Sequence, residues 1–178
     1  MLKFQKVKEE NIEQILKWRT LPEVTRYMVT DIEYNMANQK NWYNKISSDK
    51  YQKHWIISYQ DQNIGVINLA NIDYKNKHCG WGYYIGELNQ RGIGGIIPPY
   101  LYNYVFLEMK FNKIIAEVME NNEKIMKLHE IHGYRFVGKY KNHMYKNGNY
   151  YDNFVYELFA KTWTSMNKYK KYVSSFEL

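Results

Sequence analysis

Three glycines within four positions, in the segment Asn89-Gln90-Arg91-Gly92-Ile93-Gly94-Gly95-Ile96, constrain this chain more than any other feature. The preceding Tyr83-Tyr84-Ile85 is typical of a strand, and Pro98 and Pro99 suit the first turns of a helix. Glycines let successive amides turn toward one point without a Cβ in the way, and the N–H groups that begin a helix extend such a nest for an anion. The segment predicts a strand–loop–helix unit that binds a pyrophosphate, with a flexible connecting loop as the alternative.

Two other phosphate-binding loops fit this segment poorly. A Walker loop needs Gly-Lys-Ser/Thr, and no such triplet follows the glycines. The dinucleotide fingerprint needs a third glycine three residues after the second, where this chain has Ile97. The glycines therefore point to another class of phosphate-bearing ligand.

The remaining sequence predicts a mixed α/β domain around one sheet. Helices are predicted over residues 9–18, 36–46, 95–109 and 123–131, and strands over residues 54–59, 64–69, 79–85 and 114–119 and on both sides of the Asn-Gly turn at 147–148. This order favours a central, mostly antiparallel sheet flanked by helices. Gly80 and Gly82 predict a bulge in the strand at 79–85, or a close approach to its backbone. Because no repeat or linker interrupts the chain, residues 1–178 are predicted to form one domain.

The composition favours a folded domain that attracts anions. Apolar residues make up 45% of the chain and its formal net charge is +7. CoA, nucleotide sugars and nucleic acids are all anionic, but the basic residues are scattered among acidic ones and no nucleic-acid-binding motif occurs, so we expect no nucleic-acid partner. Lys168, Lys170 and Lys171 cluster in a basic tail at 161–178, which is predicted to be a solvated end.

The sequence also predicts where the protein works. No run approaches the roughly 20 apolar residues of a membrane span, so we expect no membrane partner. The first residues lack the apolar stretch of a secretory signal. Cys79 is the only cysteine, which fits a reducing compartment. We therefore expect a cytoplasmic protein.

Two segments in register resemble the GNAT superfamily of N-acetyltransferases. Gln90-Arg91-Gly92-Ile93-Gly94 is similar to that family's acetyl-CoA signature, Gln/Arg-x-x-Gly-x-Gly/Ala, although Ile96 stands at its last position and Gly95 one residue before it. Asn122-Glu123-Lys124-Ile125-Met126-Lys127-Leu128-His129-Glu130-Ile131-His132-Gly133-Tyr134 is similar to its second motif, Asn-x-x-Ala-x-x-Leu-Tyr-Glu-Lys-x-Gly-Phe. The resemblance implies acetyl-CoA as cosubstrate and the GNAT α+β fold, with its sheet splayed at the CoA-binding strand. The cofactor-binding residues it implies are Tyr84, Ile85, Arg91, Gly92, Ile93, Gly94, Gly95 and Asn122.

The N-terminal stretch from Leu16 to Met28 resembles one branch of that family. This branch includes the ribosomal-protein N-terminal acetyltransferases and the nucleotide-amino-sugar N-acetyltransferases of pseudaminic acid biosynthesis. Within the branch, the chain most resembles the amino-sugar enzymes, in Trp18-Arg19 with Pro22, in Gly82-Tyr83-Tyr84-Ile85-Gly86 and in Glu117-Val118-Met119-Glu120-Asn121-Asn122. This resemblance implies a UDP-linked 4-amino-4,6-dideoxy sugar as acceptor, acetylated on its 4-amino group. It also implies that Arg19, Met28 and Glu117 lie near that acceptor.

Side-chain chemistry is compatible with a nucleotide sugar. Arg19 can pair with a phosphate, with an ion pair to Glu23 as the alternative. Trp18 and Trp81 can stack on a base or sugar ring, with packing in the core as the alternative. Trp81 is therefore a candidate substrate-binding residue beside Arg19 and Met28.

Direct transfer of an acetyl group needs a base for the amine, a donor for the oxyanion and an acid for the departing thiolate. Glu117 is the candidate base, with a salt-bridged surface role as the alternative. A backbone N–H near Tyr84 or Ile85 is the candidate oxyanion donor. His129 stands where the family motif has Tyr, and imidazole titrates near neutral pH, so His129 is the candidate acid, with packing as the alternative. No histidine or cysteine has metal-ligand spacing, so no metal is expected.

Three functions remain open from the sequence. The leading one is an acetyl-CoA-dependent N-acetyltransferase acting on a small-molecule amine, with a nucleotide amino sugar as the predicted acceptor. A protein N-terminal acetyltransferase is the second. A non-catalytic acetyl-CoA-binding module is the third, because Ile96 and His129 both depart from the family pattern. Either a monomer or a homodimer fits the sequence.

Overall fold

A seven-stranded sheet organises the computed structural model, which describes residues 2–178 and leaves Met1, the first residue of the predicted 1–178 domain, outside the described residues. The strands are β1 (Leu2–Lys6), β2 (Lys53–Tyr59), β3 (Gln62–Asp73), β4 (His78–Ile85), β5 (Lys113–Met119), β6 (Arg135–Lys146) and β7 (Asn149–Phe159). Their spatial order is β1-β2-β3-β4-β5-β7-β6, and every neighbouring pair is antiparallel except β4 and β5. The predicted mixed, mostly antiparallel sheet is confirmed.

Helices cover both faces of this sheet. They are α1 (Ile12–Arg19), α2 (Pro22–Thr25), α3 (Met36–Ser48), α4 (Ile97–Asn103), α5 (Glu123–Ile131) and α6 (Ala160–Thr164). One core lies between the sheet and α4, α5 and α6, and a smaller one lies between the sheet and α1 and α3. The helix predicted at 95–109 begins at Ile97, because the glycine-rich segment winds into 3₁₀ turns over Leu88–Ile96, and it ends in a π turn over Tyr104–Glu108.

The sheet opens between its two parallel strands. β4 and β5 pair only at His78 with Lys113, Cys79 with Ile114, and Gly80 with Ile115. Beyond those positions the two strands diverge, while β4 stays paired with β3 as far as Ile85. The predicted splay at the CoA-binding strand is confirmed, and it leaves one backbone edge of β4 facing a gap.

The bulge predicted in the strand at 79–85 is wrong. β4 runs in unbroken register against β3 from Gly80 to Ile85, and the irregularity in this pair lies between Ala70 and Asp73 instead. The backbones of β3 and β4 approach closely here, because Gly65 has no Cβ and one built there would lie 2.1 Å from the Tyr84 carbonyl oxygen. The opening beside Tyr84 therefore comes from the divergence of β5.

The C-terminal tail is packed against the domain, which corrects the prediction of a solvated end. Phe176 is 5% exposed and stacks on Phe4 with ring centroids 4.3 Å apart. The Trp55 indole donates to the Glu177 carbonyl at 2.8 Å, and the Glu177 amide donates to the Phe4 carbonyl at 3.0 Å. The three lysines of the tail are exposed, whereas Tyr169 between them turns inward and stacks on Trp163. Residues 174–177 cover the outer edge of β1.

Candidate active site

The glycine-rich turns, the end of β4 and helix α5 meet at the mouth of the splay. A Cβ on Gly94 would lie 3.5 Å from the Ile85 side chain, and one on Gly95 would lie 3.9 Å from that of Leu128. The Tyr83 hydroxyl donates to the Gly94 carbonyl at 3.3 Å, and burial raises the pKa of Tyr83 to about 12, so this donor keeps its proton. The hydrogen bond ties the glycine segment to β4.

The backbone of the glycine segment is accessible. Gly92 is exposed, and a Cβ built there would meet nothing within 4 Å. Pro98 and Pro99 occupy the start of α4 and carry no N–H, so the donors at this end of the helix belong to the glycine-rich turns that precede it. Ile93 packs against the larger core, and the Ile96 side chain remains 38% exposed beside the turns.

Arg91 lies within the glycine-rich turns, and Asn122 lies at the start of α5. The Arg91 guanidinium donates to the Glu23 carbonyl at 2.9 Å, which anchors its side chain to α2. Asn122 precedes α5, its carbonyl accepts from the Ile125 and Met126 amides at 3.1 Å, and its side chain makes no capping bond. The roles of Arg91 and Asn122 in binding the cofactor therefore remain predictions.

On the face of the sheet opposite α4 and α5, a cleft of about 650 Å³ lies between α1, α3 and the segment at 30–35. Tyr84 lines it from β4, and burial raises the pKa of this tyrosine. Arg19 lines it from α1, and its Nη2 donates to the Thr30 carbonyl at 3.1 Å and to the Thr30 hydroxyl at 3.2 Å. Within residues 2–178 Arg19 forms no ion pair with Glu23, so that alternative is wrong.

A second cleft, of about 700 Å³, adjoins the first because Asp31 and Ile32 line both. The residues that line it also include Arg26, Tyr27, Met119, Lys146 and Tyr151. The Lys146 ammonium is buried and holds the loop between the clefts, because it ion-pairs with Asp31 and donates to the Met28 carbonyl at 3.0 Å. Met28 lines neither cleft, and the structure shows only its carbonyl bonded to Lys146.

Glu117 is exposed on the diverging part of β5. Because Gly80 pairs with Ile115 and side chains alternate along a strand, Glu117 lies on the same face of the sheet as Tyr84. Its carboxylate accepts a hydrogen bond of 2.6 Å from the amide of Asn153, a fully buried residue of β7. No ion pair involves Glu117 in the part of the chain that the structure describes, so the salt-bridged alternative is wrong.

His129 is 2% exposed, and its ring centroid lies 4.5 Å from that of Tyr134 and 5.9 Å from that of Trp81. Burial, with a smaller contribution from the nearby His132, lowers the pKa of His129 to about 3. The imidazole is therefore uncharged at neutral pH, and the prediction that it titrates there is wrong. The sequence shows the residue type but not the aromatic enclosure that desolvates it.

The two tryptophans do not share the cleft with Arg19. Trp18 is 4% exposed and packs in the smaller core, where its indole donates to Glu87 at 3.0 Å. Trp81 points to the face covered by α4 and α5, stacks on Tyr83 at 5.6 Å and meets Tyr102 edge-on at 5.1 Å. Strand alternation therefore separates Trp81 from Arg19, which corrects its assignment as a sugar-stacking residue.

Sequence reasoning missed the wall that α3 contributes to the first cleft. Asn35, Asn38, Gln39 and Trp42 line it from this helix or its N-cap, and His54 lines it from β2. The available signal was Gln39, an amide in the buried stripe that otherwise holds Trp42 and Ile46. A polar residue at a core position of an amphipathic helix indicates a special role.

Comparison with known proteins decides the family. A family profile described as "Acetyltransferase (GNAT) domain" matches residues 4–155, most of the chain. The chain belongs to the GNAT acetyltransferase family. It is an acetyl-CoA-dependent N-acetyltransferase, and the resemblance of its two motifs to those of GNAT enzymes is confirmed.

Two relatives of this acetyltransferase carry the same name. It is 32% identical over 130 residues to "Acetyltransferase PseH" of Campylobacter jejuni serotype O:23/36, covering 71% of this chain and 78% of that protein. It is 27% identical over 146 residues to the same enzyme of serotype O:2, covering 80% and 88%. A "Putative ribosomal N-acetyltransferase YdaF" of Bacillus subtilis is 30% identical over 106 residues, which is 59% of this chain and 58% of that one.

Solved structures confirm the GNAT fold. Spermidine N-acetyltransferase from Vibrio cholerae, crystallised with CoA and spermine, superposes with a TM-score of 0.85 at 19% identity and covers 92% of this chain and 98% of that one.

Among residues 2–178, no helix is long and apolar enough to cross a membrane. Nor does the described chain bring three or more His, Cys, Asp or Glu side chains together at a place suited to a metal ion.

Proposed function

We propose that this acetyltransferase moves the acetyl group of acetyl-CoA to the 4-amino group of a nucleotide-linked amino sugar. The observation that carries the proposal is the pair of adjoining clefts on the Tyr84 face, about 650 and 700 Å³ in volume and joined across Asp31 and Ile32. The first cleft contains Tyr84 and therefore lies at the splay, where a sugar amine can approach the thioester. The second offers Arg26 and the Tyr27 and Tyr151 rings to a nucleotide. The two relatives named PseH support the same acceptor class.

Acetyl-CoA is assigned to the gap between β4 and β5 and to the glycine-rich turns beside it. The diphosphate of acetyl-CoA would lie against the backbone of Arg91, Gly92, Ile93, Gly94 and Gly95, beside the Asn122 amide. The pantetheine arm would run along the backbone edge of β4 that β5 leaves unpaired, in the manner of an added strand. This path delivers the thioester to Tyr84 and Ile85, where a backbone N–H can stabilise the oxyanion.

The reaction needs the amine to attack in its neutral form. Nitrogen bonds to the thioester carbon, the amine proton passes to Glu117 through water, and the carbon–sulfur bond then breaks. The Asn153 amide orients the Glu117 carboxylate for this task. The departing thiolate takes a proton from solvent, because the imidazolium form of His129, which could donate one, is absent at neutral pH. We accordingly assign His129 to packing against Tyr134.

A protein N-terminal acetyltransferase is the second candidate, since YdaF is 30% identical over 59% of this chain. Release of free thiol from acetyl-CoA, followed with a UDP-linked 4-amino-4,6-dideoxy sugar, an unblocked peptide or spermidine, separates the candidates. We expect turnover with the nucleotide sugar and a product acetylated on its 4-amino group by mass spectrometry. Turnover with the peptide alone would replace the proposal, and no thiol release with any amine would favour a binding module.

A further inference from the structure

Asn103 is a buried polar residue of α4 whose side chain is hydrogen-bonded by the C-terminal tail. It is 6% exposed. Its Nδ2 donates to the carbonyls of Tyr169 at 3.0 Å and Tyr172 at 2.8 Å. Its Oδ1 accepts from the Trp163 indole at 2.7 Å. An indole only donates and a carbonyl only accepts, so the amide has one orientation, and these three bonds hold the tail on α4 in one register.

The same stretch of the tail contacts the end of α5. The Trp163 and Tyr169 rings stack with their centroids 4.5 Å apart, and the His132 ring meets them edge-on at 5.8 and 5.3 Å. Met166 lies against Gly133, where a Cβ would come within 2.4 Å of the methionine methyl carbon. We call Trp163, Met166 and Tyr169 the tail clamp, because they join the end of α4 to the end of α5.

Both of these helices begin at the proposed cofactor site. α4 starts directly after the glycine turns and has seven residues, and α5 starts after Asn122 and has nine. At 1.5 Å per residue, the clamped ends lie about 10 and 13 Å from the starts of the helices. The glycine turns also approach α5, because a Cβ on Gly95 would lie 3.9 Å from the Leu128 side chain. In a close-packed interior, a shift of one helix end against the other therefore moves the turns.

We propose that the tail clamp sets the spacing between α4 and α5 and so holds the glycine turns in place for the diphosphate of acetyl-CoA, with Asn103 as the positioning residue. The inference rests on the proposed placement of acetyl-CoA. The family profile ends at residue 155, so the clamp is an addition to the part of the chain that the profile matches. A binding site whose supporting residues leave it about 1 Å too loose loses function, which gives the clamp its effect on affinity.

The test removes the hydrogen bonds of the clamp and measures affinity for two ligands by calorimetry. Asn103→Leu deletes all three bonds at similar side-chain size, and Trp163→Phe deletes the indole donor and keeps an aromatic ring. We expect the Kd for acetyl-CoA to rise about tenfold in Asn103→Leu, as when one hydrogen bond to a charged group is lost, and to rise less in Trp163→Phe. The Kd for S-acetylpantetheine, which lacks the diphosphate, should not change in either variant.

Ile56→Ala is the matched control, because Ile56 is 1% exposed and packs in the smaller core on the other face of the sheet. This variant should also melt at a lower temperature, yet bind acetyl-CoA as the wild type does at a temperature where every variant is folded. An unchanged Kd in Asn103→Leu, or an equal rise in Ile56→Ala, would overturn the inference. If Asn103→Leu does not fold, an unchanged Kd in Trp163→Phe overturns it.

The wild type separates failure of this inference from failure of the proposed cofactor placement. Equal wild-type affinity for acetyl-CoA and S-acetylpantetheine would overturn the placement and the inference with it. Tighter binding of acetyl-CoA by the wild type, with no loss in the clamp variants, would overturn the inference alone.

Discussion

Replacing Gly92 with alanine tests whether the glycine turns bind the diphosphate through their backbone. A Cβ at Gly92 would meet nothing within 4 Å, and the residue is not in the left-handed region, so the free protein accommodates alanine. A compatible Gly→Ala change stabilises a fold by about 0.4–1 kcal/mol, because it restricts the unfolded chain. A diphosphate lying on this backbone would instead be pushed away by the methyl group. Loss of one hydrogen bond to a charged group costs about 1.5–3 kcal/mol, which weakens binding roughly ten- to hundredfold.

Calorimetric titration with acetyl-CoA and thermal melting of the free protein measure the two effects separately. Gly138→Ala is the matched control, because a Cβ on that glycine of β6 also meets nothing within 4 Å and lies far from the turns along the sheet. We expect Gly92→Ala to melt no lower than the wild type yet bind acetyl-CoA much more weakly, and Gly138→Ala to bind normally. Unchanged affinity in Gly92→Ala, or equal losses in both variants, would refute the reasoning.

Three further perturbations follow from the structure. Ile96→Ala removes a partly exposed side chain at the end of the turns and restores the last position of the family signature. We therefore expect a lower KM for acetyl-CoA. A higher KM would show that the Ile96 side chain contacts the cofactor. Phe176→Ala should lower the free energy of unfolding by about 3 kcal/mol in urea titration, and a loss near zero would mean that the tail is dispensable. Burial lowers the pKa of His129 from 6.5 in the unfolded chain to about 3 in the folded protein, so the free energy of unfolding falls as the pH drops below 6.5. His129→Phe removes this group and should flatten the melting temperature against pH below 6.5. An unchanged slope would contradict the burial argument.

The segments that form the proposed cofactor side of the site are each predictable from local sequence. The glycine segment, its neighbouring strand and the Asn122 motif are each continuous in sequence, and their spacing fixes one strand and one helix between them. The structure brings these pieces to the mouth of the splay, where Tyr83 bonds Gly94. The splay itself was expected only through the family resemblance, because nothing in the residues of β5 states where it leaves β4.

The acceptor side depends on contacts between residues far apart in sequence. The sequence gives Trp18 and Trp81 the same two alternatives, stacking on substrate or packing in the core. Trp18, on α1, packs in the smaller core, whereas Trp81 stacks in the face covered by α4 and α5. In the sequence, Lys146 only precedes the Asn-Gly turn, and its contacts with Asp31 and Met28 are evident only in the structure. Gln39 joins the site only because α3 packs beside Tyr84. Such placements follow from tertiary packing, which residue type and periodicity do not determine.

A comparison of acetyl-CoA with S-acetylpantetheine tests the central claim most directly, because the second ligand keeps the thioester and the arm but lacks the nucleotide diphosphate. Calorimetry on the wild-type protein should show tight, saturable binding of acetyl-CoA and far weaker binding of S-acetylpantetheine, with a rise in melting temperature only for the first. Equal affinity for the two ligands would contradict a diphosphate site in the turns from Arg91 to Gly95.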